Sequence, residues 1–168
     1  MKRFVSFTLL ALLSANHIVA QDWAKYQPRS LKQITTELAE ASLKNPDVII
    51  TDSKGGSIVL SRDTFPSQVA VVYGGSVRKV SDQKKQVIAA WLKAVGKPAD
   101  YLDLFESEYL FTEDAKEYWL PVQKQVASYF EKELRKSDKV NLYAVWLGAR
   151  KDSKNVEHVF LVNEFEKQ

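Results

Sequence analysis

The chain has 168 residues, 27% of them charged, with no cysteine, two histidines and a formal net charge of +3. Without cysteine there is no disulfide framework, no thiol nucleophile and no cysteine-based zinc site. The length suits one domain able to bury a substantial core.

Met1-Lys-Arg precedes an almost uninterrupted apolar run over residues 4–13, and Val19-Ala20 precede Gln21. A basic start, a short apolar block and a small residue at the cut predict a secretory signal peptide over residues 1–20. The apolar run is too short for a bilayer-spanning helix, which takes about 20 residues. Cleavage after Ala20 is expected, although Ile18 is an unusual residue three before the cut. It leaves residues 21–168 as a single α+β domain with no transmembrane segment. Lys2 and Arg3 leave with the signal, so 24 basic residues become 22 against 21 acidic ones, a net charge of +1. That balance points to no nucleic-acid partner. The expected location is a bacterial periplasm or the outside of the cell.

Residues 21–29 read as an extended lead-in. Ser30 followed by Gln33 is a capping-box pattern, and Leu31, Ile34, Leu38 and Ala41 share one helical face. Asn45-Pro46 ends that helix. Residues 48–50 and 58–60 read as a hairpin around the loop 52–56. Residues 69–73 and 77–80 read as a second hairpin, turning at Gly74-Gly75, with Arg78 and Lys79 at a sheet edge. Ser81 caps a second helix with Val87, Ile88, Trp91, Leu92 and Val95 on its apolar stripe and Lys84 mostly off it. Gly96 and Pro98 end it. Residues 99–105 fit a helical turn or a loop. Residues 109–111 and 116–120 form a hairpin, and Pro121 suits the first turn of a third helix. That helix buries Val122, Val126, Tyr129, Phe130 and Leu134, with Glu131 and Arg135 paired outside. Residues 140–147 are apolar on both faces, which predicts a central strand covered on both sides. A last strand covers residues 157–165.

Catalytic residue types are scarce. His17 leaves with the signal, so His158 is the mature chain's single histidine, and no serine sits in a Gly-X-Ser-X-Gly elbow. His158 reads as a strand-edge residue. One histidine cannot build the usual zinc sets, so no metal is expected. Asp100, Asp103, Glu106 and Glu108 lack calcium-loop spacing and read as a solvated acidic face. The glycine loops at 53–57 and 73–76 lack the spacing of a phosphate cradle, so no cofactor is expected. Glu106, Glu108, Glu113, Asp114 and Glu117 surround one predicted hairpin, and glycosidases need two carboxyls about 5–10 Å apart. The aromatics crowd the middle of the chain and most belong to the core. Tyr118 and Trp119 are strand neighbours, so one points out, and Tyr143 lies opposite the face of Trp146. Tyr118, Trp119 and Tyr143 are the candidate ligand-binding residues, since an exposed ring among carboxylates suits a sugar or a protein hot spot. Buried rings with tethered polar tips are the plainer alternative.

The run Tyr118-Trp-Leu-Pro-Val-Gln123, with Tyr129-Phe130, Glu133-Leu134 and Asp138-Lys-Val-Asn-Leu-Tyr-Ala-Val-Trp-Leu-Gly148, resembles a pattern in uncharacterised secreted bacterial proteins. It covers the last third of the chain. The resemblance implies a bacterial origin and an autonomous domain, and no activity.

The expected architecture is α+β: an antiparallel sheet or a small OB-like or SH3-like barrel with about three helices. A cystatin-like or NTF2-like helix-covered sheet is the alternative. The leading functional expectation is a secreted or periplasmic non-catalytic binding protein, its partner a small molecule, a glycan or an envelope protein. A carboxylate-dependent hydrolase acting on glycans is second, and a structural or assembly subunit third.

Overall fold

The computed structural model describes residues 23–51, 56–153 and 155–168. The predicted signal peptide and most of the loop at 52–56 lie outside the described residues. Eight strands form one sheet: β1 (Gln27–Pro28), β2 (Val48–Thr51), β3 (Ser57–Leu60), β4 (Ser67–Lys79), β5 (Ser107–Glu113), β6 (Lys116–Val122), β7 (Lys139–Lys151) and β8 (Val156–Lys167). Their order is β1-β4-β5-β6-β8-β7-β3-β2, and a further β4–β7 pairing closes β4, β5, β6, β8 and β7 into a five-stranded barrel. Four of its seams are antiparallel and the fifth, β6–β8, is parallel. The protein is therefore α+β with a closed barrel and extra strands.

Three helical segments attach to the barrel. The first, α1, runs through Leu31–Gln33, a π-helical stretch Ile34–Leu38, and Ala39–Lys44. The second, α2, is Asp82–Ala94, and the third, α3, is Lys124–Glu133. A 3₁₀ turn covers Ala99–Leu104. The predicted caps form: Ser30 Oγ accepts from Gln33 N at 2.8 Å and Ser81 Oγ from Lys84 N at 3.3 Å, each satisfying an orphan helical N–H. Gly96, at φ 70°, ends α2 in the left-handed conformation that glycine adopts without a Cβ penalty.

Strand alternation divides the core in two. Val69, Val71, Phe111, Leu120, Leu142, Trp146 and Phe160 point into the barrel, where Phe130 of α3 and Leu31 and Ile34 of α1 close over them. On the outside, Leu147, Val159 and Leu161 join Ile58, Leu60, Val87, Ile88 and Leu92 beneath α2. β7 is thus buried on both faces over Trp146–Ala149, whereas Asn141 and Tyr143 on its outer face are half-buried. Among the described residues, no helix is long and apolar enough to cross a membrane.

Three local expectations are corrected. Gly74-Gly75 is not a hairpin turn: β4 runs through it as one bent strand, shifting register against β5 between Tyr73 and Val77. Gly75 sits at φ 76° in that bulge, which re-aims a strand without ending it. Consequently Arg78 does not lie on an edge but opposite Glu108. Pro121 ends up inside β6, not α3. Finally, Arg135 lies past the end of α3 and donates to the Glu131 and Leu134 carbonyls.

Candidate functional site

The outward face of β4, β7 and β8 carries two transverse rows. Gln68, Tyr143 and Glu164 lie opposite one another, and Ala70, Asn141 and Glu166 form the next row. The N-terminal segment is held alongside, with Gln27 and Pro28 paired to Ser67 and Gln68. Arg29 Nη1 donates to Pro66 O at 2.9 Å and to Ser67 Oγ at 3.1 Å. This anchoring lays two rings on Tyr143. Trp23 stands edge-on at 4.6 Å, Tyr26 at 5.5 Å, and the two are 5.6 Å apart. Trp23 is 38% exposed.

Hydrogen bonds fix the polar tips of this cluster. Gln68 Nε2 donates to Tyr143 Oη at 3.2 Å, and that hydroxyl reaches Glu166 Oε2 at 3.5 Å. Asn163 Nδ2 donates to Tyr26 Oη and Asn163 Oδ1 accepts from Gln123 Nε2, both at 2.9 Å. Asn163 is the residue skipped by the β7–β8 register shift next to Tyr143. Burial raises the Tyr143 pKa, and Glu166 raises it further. Burial also raises that of Glu164, against a lowering bond from Phe165 N–H, while Glu133 adds to the rise. Beside the rings lies an open depression of about 470 Å³, lined by Pro28, Arg29, Ser30, Gln33, Gln68, Ala70 and Asn141. Ring surface bordered by amide and carboxylate groups can stack on and hydrogen-bond an uncharged ligand.

Tyr118 and Trp119 do not join Tyr143 there. Trp119 faces outward, with the Arg78 guanidinium 4.0 Å above its ring. Arg78 Nε donates to Glu108 Oε1 at 2.6 Å. Lys84 Nζ donates to the other oxygen of Glu108 and, at 2.7 Å, to the Trp119 carbonyl. Tyr118 turns to the barrel interior, half-buried against the core. Its hydroxyl is buried with no hydrogen-bond partner among the described residues.

The five carboxylates of the β5–β6 hairpin fall at its two ends, Glu106 and Glu108 at one and Glu113, Asp114 and Glu117 at the turn. Glu108 and Glu113 are five positions apart on one strand, so their backbones lie about 17 Å apart at ~3.4 Å per residue. Glu108 is spent on Lys84 and Arg78. Both oxygens of Glu113 accept from the first turn of α1, from Leu31 N at 2.8 Å and Lys32 N at 2.9 Å. Glu106 is exposed, 3.7 Å from Lys124 Nζ. Among the described residues, no three metal-ligating side chains gather. His158 pairs with Ala149 of β7, and its Nδ1 is buried.

Sequence reasoning missed Trp23, Tyr26 and Gln68. The signal was present in the two rings three residues apart in an otherwise polar lead-in. Nothing local says that this segment returns to a strand 117 residues later. No family model, no curated protein and no solved structure matches the chain.

Proposed function

We propose that the chain is an exported, non-catalytic binding protein whose ligand is a neutral glycan held on the outer β4–β7–β8 face. The observation that carries this reading is the partly exposed Trp23 ring against Tyr143, flanked by Gln68, Asn141 and Glu166. Such rings give a large contact area at low entropy cost, and the amides and carboxylates fix ligand orientation. The occupied states of Glu108 and Glu113 favour binding over the carboxylate-hydrolase alternative. Export rests on the basic, apolar and small-residue sequence at 1–20.

The barrel is OB-like in this proposal. Its strands run β4-β5-β6-β8-β7 around the ring, with a helix between the third and fourth in chain order. OB-like barrels commonly bind ligands on the second and third strands. Here that face carries Trp119, whose outward ring is capped by Arg78, which favours Tyr143 as the centre.

The test is a glycan panel read by calorimetry against Tyr143→Ala and Trp23→Ala. Binding of one glycan class, weakened at least tenfold by each substitution, is expected. Binding left intact in both variants, or release of a cleaved product, overturns the reading.

A further inference from the structure

Three buried polar side-chain atoms have no hydrogen-bond partner among the described residues: Trp146 Nε1, His158 Nδ1 and Tyr118 Oη. The fold gathers them at one end of the barrel interior. The Trp146 and His158 ring centroids are 6.2 Å apart. β6 and β8 run parallel with Val122 opposite Val162, and Tyr118 and His158 each lie four residues before that pair on their strands. Lys116 connects the same two residues, standing 5.0 Å over the Tyr118 ring and acting on the charge of His158. Trp146 itself is 0% exposed. Native interiors rarely leave one such atom unpaired, and three in one place mark a site that another molecule completes.

The chemistry of the three atoms specifies that molecule. The indole N–H only donates, the phenol donates or accepts, and Nδ1 of a neutral imidazole takes either role according to tautomer. Leu120, Phe160 and Phe65 around these atoms are uncharged and Lys116 is itself exposed to solvent, so a guest held by the three atoms is held by hydrogen bonds and not by a buried ion pair. Phe65 is the covering residue: it stacks on Trp146 at 5.8 Å and holds a left-handed φ of 44°. For a bulky side chain that conformation persists only when surrounding contacts enforce it.

We propose that this end of the barrel is a second binding site, separate from the outer face. It accepts one small neutral hydroxyl or carboxamide group, which bridges Trp146 Nε1, Tyr118 Oη and His158 Nδ1 after Phe65 moves aside.

The chain has four tryptophans, so labelling their indole nitrogens with ¹⁵N gives a short NMR spectrum in which Trp146→Phe assigns the relevant signal. Acetamide and glycerol are the neutral probes, with acetate and methylammonium as charged controls. A saturable shift of the Trp146 signal with a neutral probe, and none with the charged ones, is expected. His158→Phe and Tyr118→Phe should each weaken that shift at least fivefold while the Trp91 and Trp119 signals stay in place. Phe65→Ala should strengthen it. A Trp146 signal that responds to no probe and shows contact only with a long-lived enclosed water overturns the proposal. So does a shift that both ring substitutions leave unchanged. Trp23 reports the outer face in the same spectrum, so failure of one site is read separately from failure of the other.

Discussion

Lys84 and Glu108 form an ion pair that water hardly reaches, their side chains 5% and 0% exposed. The pair ties the first turn of α2 to the barrel wall, because Lys84 also donates to the Trp119 carbonyl. Removing one partner leaves a charge in a poorly solvated place, a loss of about 3–5 kcal/mol in comparable cases. Lys84→Met is therefore expected to destabilise by about 3 kcal/mol, with Arg78 left as the remaining partner of Glu108. Lys84→Met combined with Glu108→Leu should recover more than half of that loss. Urea unfolding of the two variants checks this, and a Lys84→Met cost below about 1 kcal/mol would contradict it.

This pair also marks where sequence reading stops. Ser30, Ser81 and the apolar stripes declare the helices locally, and the alternation in residues 140–147 declares a strand covered on both faces. Lys84 precedes Val87, Ile88 and Trp91 by three, four and seven positions and so shares their face of α2. Its charge alone argues for placing it off the stripe, and it is buried because a carboxylate 24 residues away meets it there. The glycines at 74 and 75 look like a turn in isolation. β5 pairs on both sides of them, at Tyr73–Phe111 and Val77–Tyr109, and so keeps one strand. Alternation separated Tyr118 from Trp119 correctly. It could not reveal that Trp23 and Tyr26 cover Tyr143, since closing that contact depends on the β1–β4 pairing.

Glu113 acts as a remote cap. Its two oxygens accept from Leu31 and Lys32 at the N-terminus of α1, where orphan N–H groups and the helix dipole favour an anion. Glu113→Ala is expected to cost about 1–2 kcal/mol, in the range of lost side-chain caps. Glu113→Gln should retain part of it. Glycan binding at the proposed Tyr143 face should not change in either variant. Thermal melts and calorimetry on the same samples separate the two effects.

Gly148 lies in β7 at φ 152°, where an added Cβ would strike the Val59 carbonyl and crowd Leu60. Both obstacles belong to the β3–β7 ladder, in which Leu60 faces Gly148, so relief requires separating two paired strands. Gly148→Ala is expected to destabilise by at least about 2 kcal/mol, on the scale of overpacked cores. Gly96→Ala meets no atom within 4 Å. It retains only the cost of its φ of 70°, about 1 kcal/mol. Equal losses in the two variants would remove the strand-contact explanation.

His158 sets the acid side of the stability profile. Burial chiefly, with Lys116 acting in the same sense and Glu40 against them, depresses its pKa to about 4. The unfolded chain, with an imidazole near 6.5, binds the proton more readily, so acid favours unfolding. The contribution is fully present above about pH 6.5 and is lost as the pH falls towards 4. The loss is bounded by about 3 kcal/mol at 1.36 kcal/mol per pKa unit, and partial exposure of the ring lowers it. Glu164 works in the opposite sense: its raised pKa lets protonation favour the folded state as the pH falls through that raised value. The difference between the parent protein and His158→Phe cancels Glu164 and isolates the histidine. The parent should lose stability relative to His158→Phe between pH 6.5 and 4, in urea titrations at half-unit steps. Parallel profiles across that window would mean that His158 is not held neutral by its surroundings.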